Sequence, residues 1–190
     1  MKRLWAVAGL SAALTALAPI TAEAATFSFT GPLSGLQEVP PVTSKATGSF
    51  DAILNGDPDN WTFNYKVTFA DFSGGLILAH IHRGNRGENG PVVHNLDNAP
   101  VNQGVTSGTI TGDWTSAELP AGVAAADVFN RFLANGYYFN LHSTVFPGGE
   151  VRGQIENPVA VGTPEPASLM GLALVSSAAL LWRRKQQATN

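Results

Sequence analysis

The sequence predicts an all-β domain, a Greek-key sandwich or barrel with one short helix, flanked by an N-terminal signal helix and a C-terminal transmembrane helix. Three observations predict it. Seven short stretches across residues 26–156 read as strands, most clearly "WTFNYKVTF", where Trp61, Phe63, Tyr65, Val67 and Phe69 alternate with polar residues. Period two is the mark of a strand with one buried and one wet face. Glycine- and proline-rich loops divide the stretches, and a single segment carries a helical stripe.

The elements follow in order. "TFSFT" is a leading strand, and "SFDAIL" alternates through Phe50, Ala52 and Leu54. The turn formers "NGDPDN" join that run to "WTFNYKVTF", so the two read as an antiparallel hairpin. "LILAHIH", "VTSGTIT", "YYFNLHS" and "EVRGQIE" supply four more strands. "AAADVFNRFLANG" places Val128, Phe132 and Leu133 on one helical face, with Gly136 as its stop.

Composition narrows the function. The chain has 190 residues, 44% of them hydrophobic, and no cysteine, so one domain without disulfides is expected. Residues 26–163 hold six Lys/Arg against twelve Asp/Glu, a net of −6. An acidic domain repels phosphate, which argues against nucleic acid as a partner.

The two ends read as addresses. Lys2 and Arg3, an apolar run and the small-x-small site Ala22-Glu23-Ala24 form a secretory signal over residues 1–24. Residues 167–182 are uncharged and apolar, and as a helix they would span about 24 Å. Arg183, Arg184 and Lys185 follow and should stay cytoplasmic. The expected division is a signal over 1–24, a domain over 25–157 and a sorting tail over 158–190.

The chemistry gathers around histidine. Three of the four histidines, His80, His82 and His94, lie within "LAHIHRGNRGENGPVVH", and the fourth is His142. Residues two apart on a strand share a face, so His80 and His82 project together, roughly 6–7 Å apart at the backbone. On "YYFNLHS" the same rule puts Tyr138, Asn140 and His142 on one face. If the two strands lie close, His142 adds a third nitrogen and His94 a fourth. An all-imidazole set without thiolates favours copper, with zinc second. The competing reading leaves these histidines as solvated or hydrogen-bonding surface residues. Glu150, Arg152, Gln154 and Glu156 should face outward from their strand as solvated groups with surface ion pairs; the alternative is that Glu150 and Arg152, with Asn140, orient a metal-bound group. Glu118 and Asp127 read as surface charges.

Motifs add a resemblance. "LSGLQEVPPVTSKATGSF", "LAHIHRGNRGENGPVV", "YYFNLHS" and "PGGEVRGQI" together resemble the CHRD domain, over about residues 28–156. The resemblance implies an extracellular setting, and histidines at the positions of His80, His82 and His142; an apolar residue is more usual at His94. Pro164-Glu165-Pro166, the apolar stretch and the arginines resemble the PEP-CTERM sorting signal. That implies an exosortase as partner, passage through the inner membrane and delivery to the cell surface or matrix. The order His80, His82, His94, His142 is also similar to the copper ligands of copper–zinc superoxide dismutases, which are Greek-key barrels. The zinc loop and disulfide cysteines of that family are missing here, and Arg152 is a poor match for its active-site arginine. The expectation is therefore an exported metal-binding domain. An adhesive or structural module of biofilm or exopolysaccharide is the alternative, and a true dismutase is the remote one.

Overall fold

The computed structural model describes residues 24–162. The expected signal helix over 1–24, all but its last residue, and the transmembrane helix over 167–182 lie outside the described residues, as do Pro164, Glu165 and Pro166. Among the described residues no helix is long and apolar enough to cross a membrane.

Nine strands form one antiparallel sheet: β1 (Ala25–Ser34), β2 (Thr47–Gly56), β3 (Trp61–Ala70), β4 (Leu76–Arg83), β5 (Val92–Asn95), β6 (Gly108–Thr115), β7 (Tyr137–Ser143), β8 (Val151–Ile155) and β9 (Val159–Ala160). One helix, α1, spans Ala125–Leu133. The sheet runs β5-β4-β7-β8-β1-β2-β3-β6, with β9 paired to the same edge of β1 as β8. Its two end strands meet through side chains. His94 on β5 stacks on Trp114 of β6, with ring centroids 5.3 Å apart. Just beyond β5, Asp97 Oδ2 accepts the Asp113 N–H, and Asn98 donates to the Thr111 carbonyl. The sheet is thus a nearly closed barrel, and around it the order is 1-2-3-6-5-4-7-8. A meander followed by two crossings, β3 to β4 and β6 to β7, is Greek-key connectivity.

The expected alternation fills the barrel. On β3 the residues Trp61, Phe63, Tyr65, Val67 and Phe69 are all buried, and Phe50, Ala52 and Leu54 of β2 join them. Helix α1 lies in the β6–β7 crossing and drives Phe132 into this core. Its ring stacks on Phe63 at 4.3 Å and packs against Trp61, Trp114 and Tyr137.

Four details differ from the sequence reading. The short strands β5 and β9 carry too few residues to show a period. β6 runs on to Thr115, where the Thr115–Glu118 capping box starts a 3-10 turn, so Glu118 has a local structural role. On α1, Phe129 is buried in the place expected of Leu133, and Asn135, with φ 60°, ends the helix one residue before Gly136. The outward face of β8 is not solvated: Glu150, Arg152 and Gln154 are all buried. Loops over residues 35–46, 84–91 and 144–150 cover it, and that cover creates the candidate site.

Candidate metal centre

Cross-strand neighbours share a face of a sheet. On the outer face of β4, β7 and β8 the register sets His80 against Asn140, His82 against Tyr138 and Leu78 against His142. It continues with Asn140 against Arg152 and Tyr138 against Gln154. Core residues Ala79, Ile81, Phe139 and Leu141 occupy the alternate positions. The sheet therefore brings His80, His82 and His142 together, although sixty residues separate His82 from His142.

One nitrogen from each ring lies within 4.8 Å of the others, and all three residues are buried. The ring centroids are 5.5 Å apart for His80–His82, 5.1 Å for His80–His142 and 6.1 Å for His82–His142. A single ion with bonds of about 2 Å wants its donors about 3–4 Å apart, so the rings would close by up to about 2 Å on binding.

The tautomers suit ligation. His82 Nδ1 lies 2.9 Å from the Gly90 carbonyl, and His142 Nδ1 lies 3.0 Å from the Pro147 carbonyl. A carbonyl only accepts, so each Nδ1 carries the proton and each Nε2 keeps its lone pair. Those two Nε2 atoms and His80 Nδ1 are buried without a hydrogen-bond partner. Three orphaned imidazole nitrogens on one patch would each cost free energy unless something binds them.

Burial, together with the neighbouring imidazoles, lowers the His80 pKa to about 4. Burial also lowers His82 and His142, against the pull of their backbone carbonyl partners. The unfolded chain therefore binds more protons than the folded one between about pH 4 and 6.5. Glu38 opposes this: burial raises its carboxyl to about 7, countered in part by Arg152 and Asn140. The shifts of His80 and Glu38 are similar in size and opposite in sign, so the other groups lowered in the folded chain, His82, His142 and His94, decide: stability of the metal-free protein should fall as pH drops through 6.5 toward 4. Urea midpoints in EDTA at pH 7.5, 6 and 5 check the sign, and a midpoint that rises toward pH 5 refutes it.

His94 does not join the trio. It pairs with Ile81, a core residue, and so takes the opposite face from His80 and His82. Its Nε2 lies 3.3 Å from the Tyr65 hydroxyl, and its ring stacks on Trp114. It closes the β5–β6 seam.

The supporting residues hold the covering loops. The Arg152 guanidinium lies 3.4 Å from the centroid of the Tyr138 ring, on which His82 stacks from the strand on the other side. Arg152 donates to the carbonyls of Asn85 and Glu88 and to Gln154 Oε1. Tyr138 accepts the Gly90 N–H, so the residue whose carbonyl orients His82 is itself held. Glu150 Oε1 accepts from the Ser44 hydroxyl and the Ser73 N–H, tying two loops to the start of β8. Burial pushes this carboxyl up, yet hydrogen bonds from serines outweigh it and its pKa is lowered.

Sequence reasoning missed Glu38 and Tyr138 as parts of the site. Glu38 is 6% exposed, and Asn140 Nδ2 points toward its Oε2 at 3.5 Å. The only signal was its place in "QEVPP", one of the motifs that carry the family resemblance; nothing in its local pattern distinguishes it from a surface glutamate.

The chain matches the CHRD domain over residues 29–155 and the PEP-CTERM protein-sorting motif over residues 163–185. The second match marks it for export and exosortase-dependent sorting to the surface, with transient membrane anchoring. No curated protein and no solved structure matches it.

Proposed function

This chain belongs to the CHRD domain family, and we propose that its domain binds a metal ion, copper in preference to zinc, through His80, His82 and His142. The observation that carries this reading is a cluster of three buried histidines, each offering one ring nitrogen within 4.8 Å of the others, and each with a buried ring nitrogen that has no hydrogen-bond partner. Two of those rings are already set in the ligating tautomer by backbone carbonyls, the usual support of a metal-bound histidine. Neutral imidazoles without thiolate or carboxylate suit Cu(II), which also tops the affinity series for nitrogen donors.

In this reading residues 1–24 are the export signal, 25–157 the functional domain and 158–190 the sorting tail. Pro164, Glu165 and Pro166 form the processing motif, and the stretch over 167–182 is the transient anchor. A copper-binding domain at the surface or in the matrix would sequester the ion or temper surface redox chemistry.

Titration of the full chain with Cu(II), followed by electron paramagnetic resonance, tests the site. The expected result is coupling to about three nitrogens and an affinity that falls by more than about 100-fold in the His80→Ala/His142→Ala double variant, since loss of a mere supporting partner costs 10–100-fold. Micromolar or weaker binding, unchanged in the double variant, would defeat the proposal and leave an adhesive or structural module. Superoxide decay above that of free copper would extend the reading to an enzyme.

A further inference from the structure

A second candidate site lies at one end of the barrel, away from the histidines. Arg83 follows His82 on β4 and pairs with Tyr137 of β7, a core residue, so it takes the face opposite His82. Helix α1 packs at that end and brings Arg131 in its last turn. A pocket of about 790 Å³ opens there, bounded by α1, the segment over 119–124, the ends of β4 and β6 and the starts of β5 and β7. None of the four histidines lines it.

Much of its wall is aliphatic. Val92, Val93, Leu119, Val123 and Val128 contribute, and Val92 and Val123 are each 46% exposed. Set among them are Arg83 and Arg131, and neither has a carboxylate partner: among the described residues the one ion pair is Arg86–Glu156. Asp127, one helical turn before Arg131, lines the pocket without pairing with it. Two arginines against one aspartate leave the wall with one net positive charge, in a domain whose net over residues 26–163 is −6. Tyr137 lines the pocket within the field of both arginines. Burial raises its hydroxyl to about 12, and the charges of Arg131 and Arg83 oppose the rise. The hydroxyl therefore keeps its proton at neutral pH and can donate it in a hydrogen bond. Arg131 is held from behind. A Cβ on Gly136 would fall 2.4 Å from Arg131 Cγ, so the bare glycine lets the arginine stem pack on the backbone.

We propose that this barrel mouth binds a carboxylate carried on an apolar body, a straight-chain acyl acid, with Arg83, Arg131 and the Tyr137 hydroxyl on the carboxylate and the aliphatic wall on the chain. The wall selects this class. One net positive charge matches a monoanion, and a guanidinium offers a carboxylate paired N–H donors. Aliphatic side chains shed water against a hydrocarbon chain but give a sugar few hydrogen bonds. The two aromatic residues of the wall, Trp114 and Tyr137, are buried and present no ring face for a sugar to stack on. The volume falls in the ordinary range for a small-molecule site. The proposal is independent of the metal-binding reading above.

Calorimetric titration of the full chain with octanoate, octanol, octylammonium and acetate tests it. Octanoate should occupy one saturable site at least about fivefold more tightly than octanol or octylammonium, the size of a well-placed exposed ion pair. Acetate, which has no chain to bury, should not bind measurably. Both arginines are exposed, so the Arg83→Gln/Arg131→Gln double variant leaves the core intact. In it octanoate should weaken by about fivefold or more, to the level of octanol, and octanol should change by less than about twofold. Val123→Asn should weaken octanoate and octanol together, by about threefold, because it removes apolar wall from the chain. Octanol as tight as octanoate in the wild type, or acetate as tight as octanoate, overturns the proposal. So does octanoate affinity that survives both the arginine and the Val123 changes, which would place the probe on the apolar segments outside the domain.

Discussion

Arg152→Ala is expected to destabilise the protein by about 3–5 kcal/mol and to weaken metal binding in whatever fraction remains folded. The guanidinium is 1% exposed and donates to three acceptors, the carbonyls of Asn85 and Glu88 and the Gln154 amide oxygen. Hydrogen bonds to a charged group contribute about 1.5–3 kcal/mol each, and part of that returns when freed carbonyls reach water. Alanine also removes the cation from the Tyr138 ring. The loop over 84–91 would loosen, and with it the Gly90 carbonyl that sets the His82 tautomer. Lysine should rescue little, because one ammonium cannot reach both carbonyls and lie flat on the ring. Urea denaturation with and without Cu(II) gives both numbers. A variant as stable as wild type would mean that Arg152 does not hold this loop.

Phe132→Ala should cost a similar amount, about 3–5 kcal/mol, for a different reason. Phe132 is fully buried and joins α1 to the barrel through Phe29, Trp61, Phe63, Trp114 and Tyr137. Its loss leaves a cavity that surrounding aromatic rings fill poorly. The histidine cluster lies on the outer face of the sheet, so copper affinity of the folded fraction should change by less than about threefold, because distant sites act independently. A large affinity change in Phe132→Ala would mean that the core and the outer face are coupled.

The pair separates two kinds of information. Phe132 was visible in the helical stripe and Trp61 to Phe69 in the strand period, because burial on one face imposes a period that local sequence must obey. "YYFNLHS" gave both its strand and its sidedness, with His142 opposite Leu141. The family was legible for the same local reason: "QEVPP" and "GGEVRGQ" are contiguous. The errors fell where the determinant was remote. Arg152 and Gln154 follow the strand alternation outward, but their burial is decided by loops over 35–46 and 84–91. His94 sits in the same segment as His80 and His82, yet a register shift between Ile81 and His82 assigns it to the β5–β6 seam.

By itself the sequence determined the strands, the helix, the faces of His80, His82 and His142, and the family to which the chain belongs. These depend on periodicity and short motifs, which neighbouring residues carry. Only the tertiary structure decided that β4 and β7 are adjacent, that three loops fold over their outer face, and that Glu38 meets Asn140 beneath Gly149. Strand order and loop cover arise from contacts between residues far apart in the chain, and a local pattern of hydrophobicity holds no record of which distant partner a face will meet.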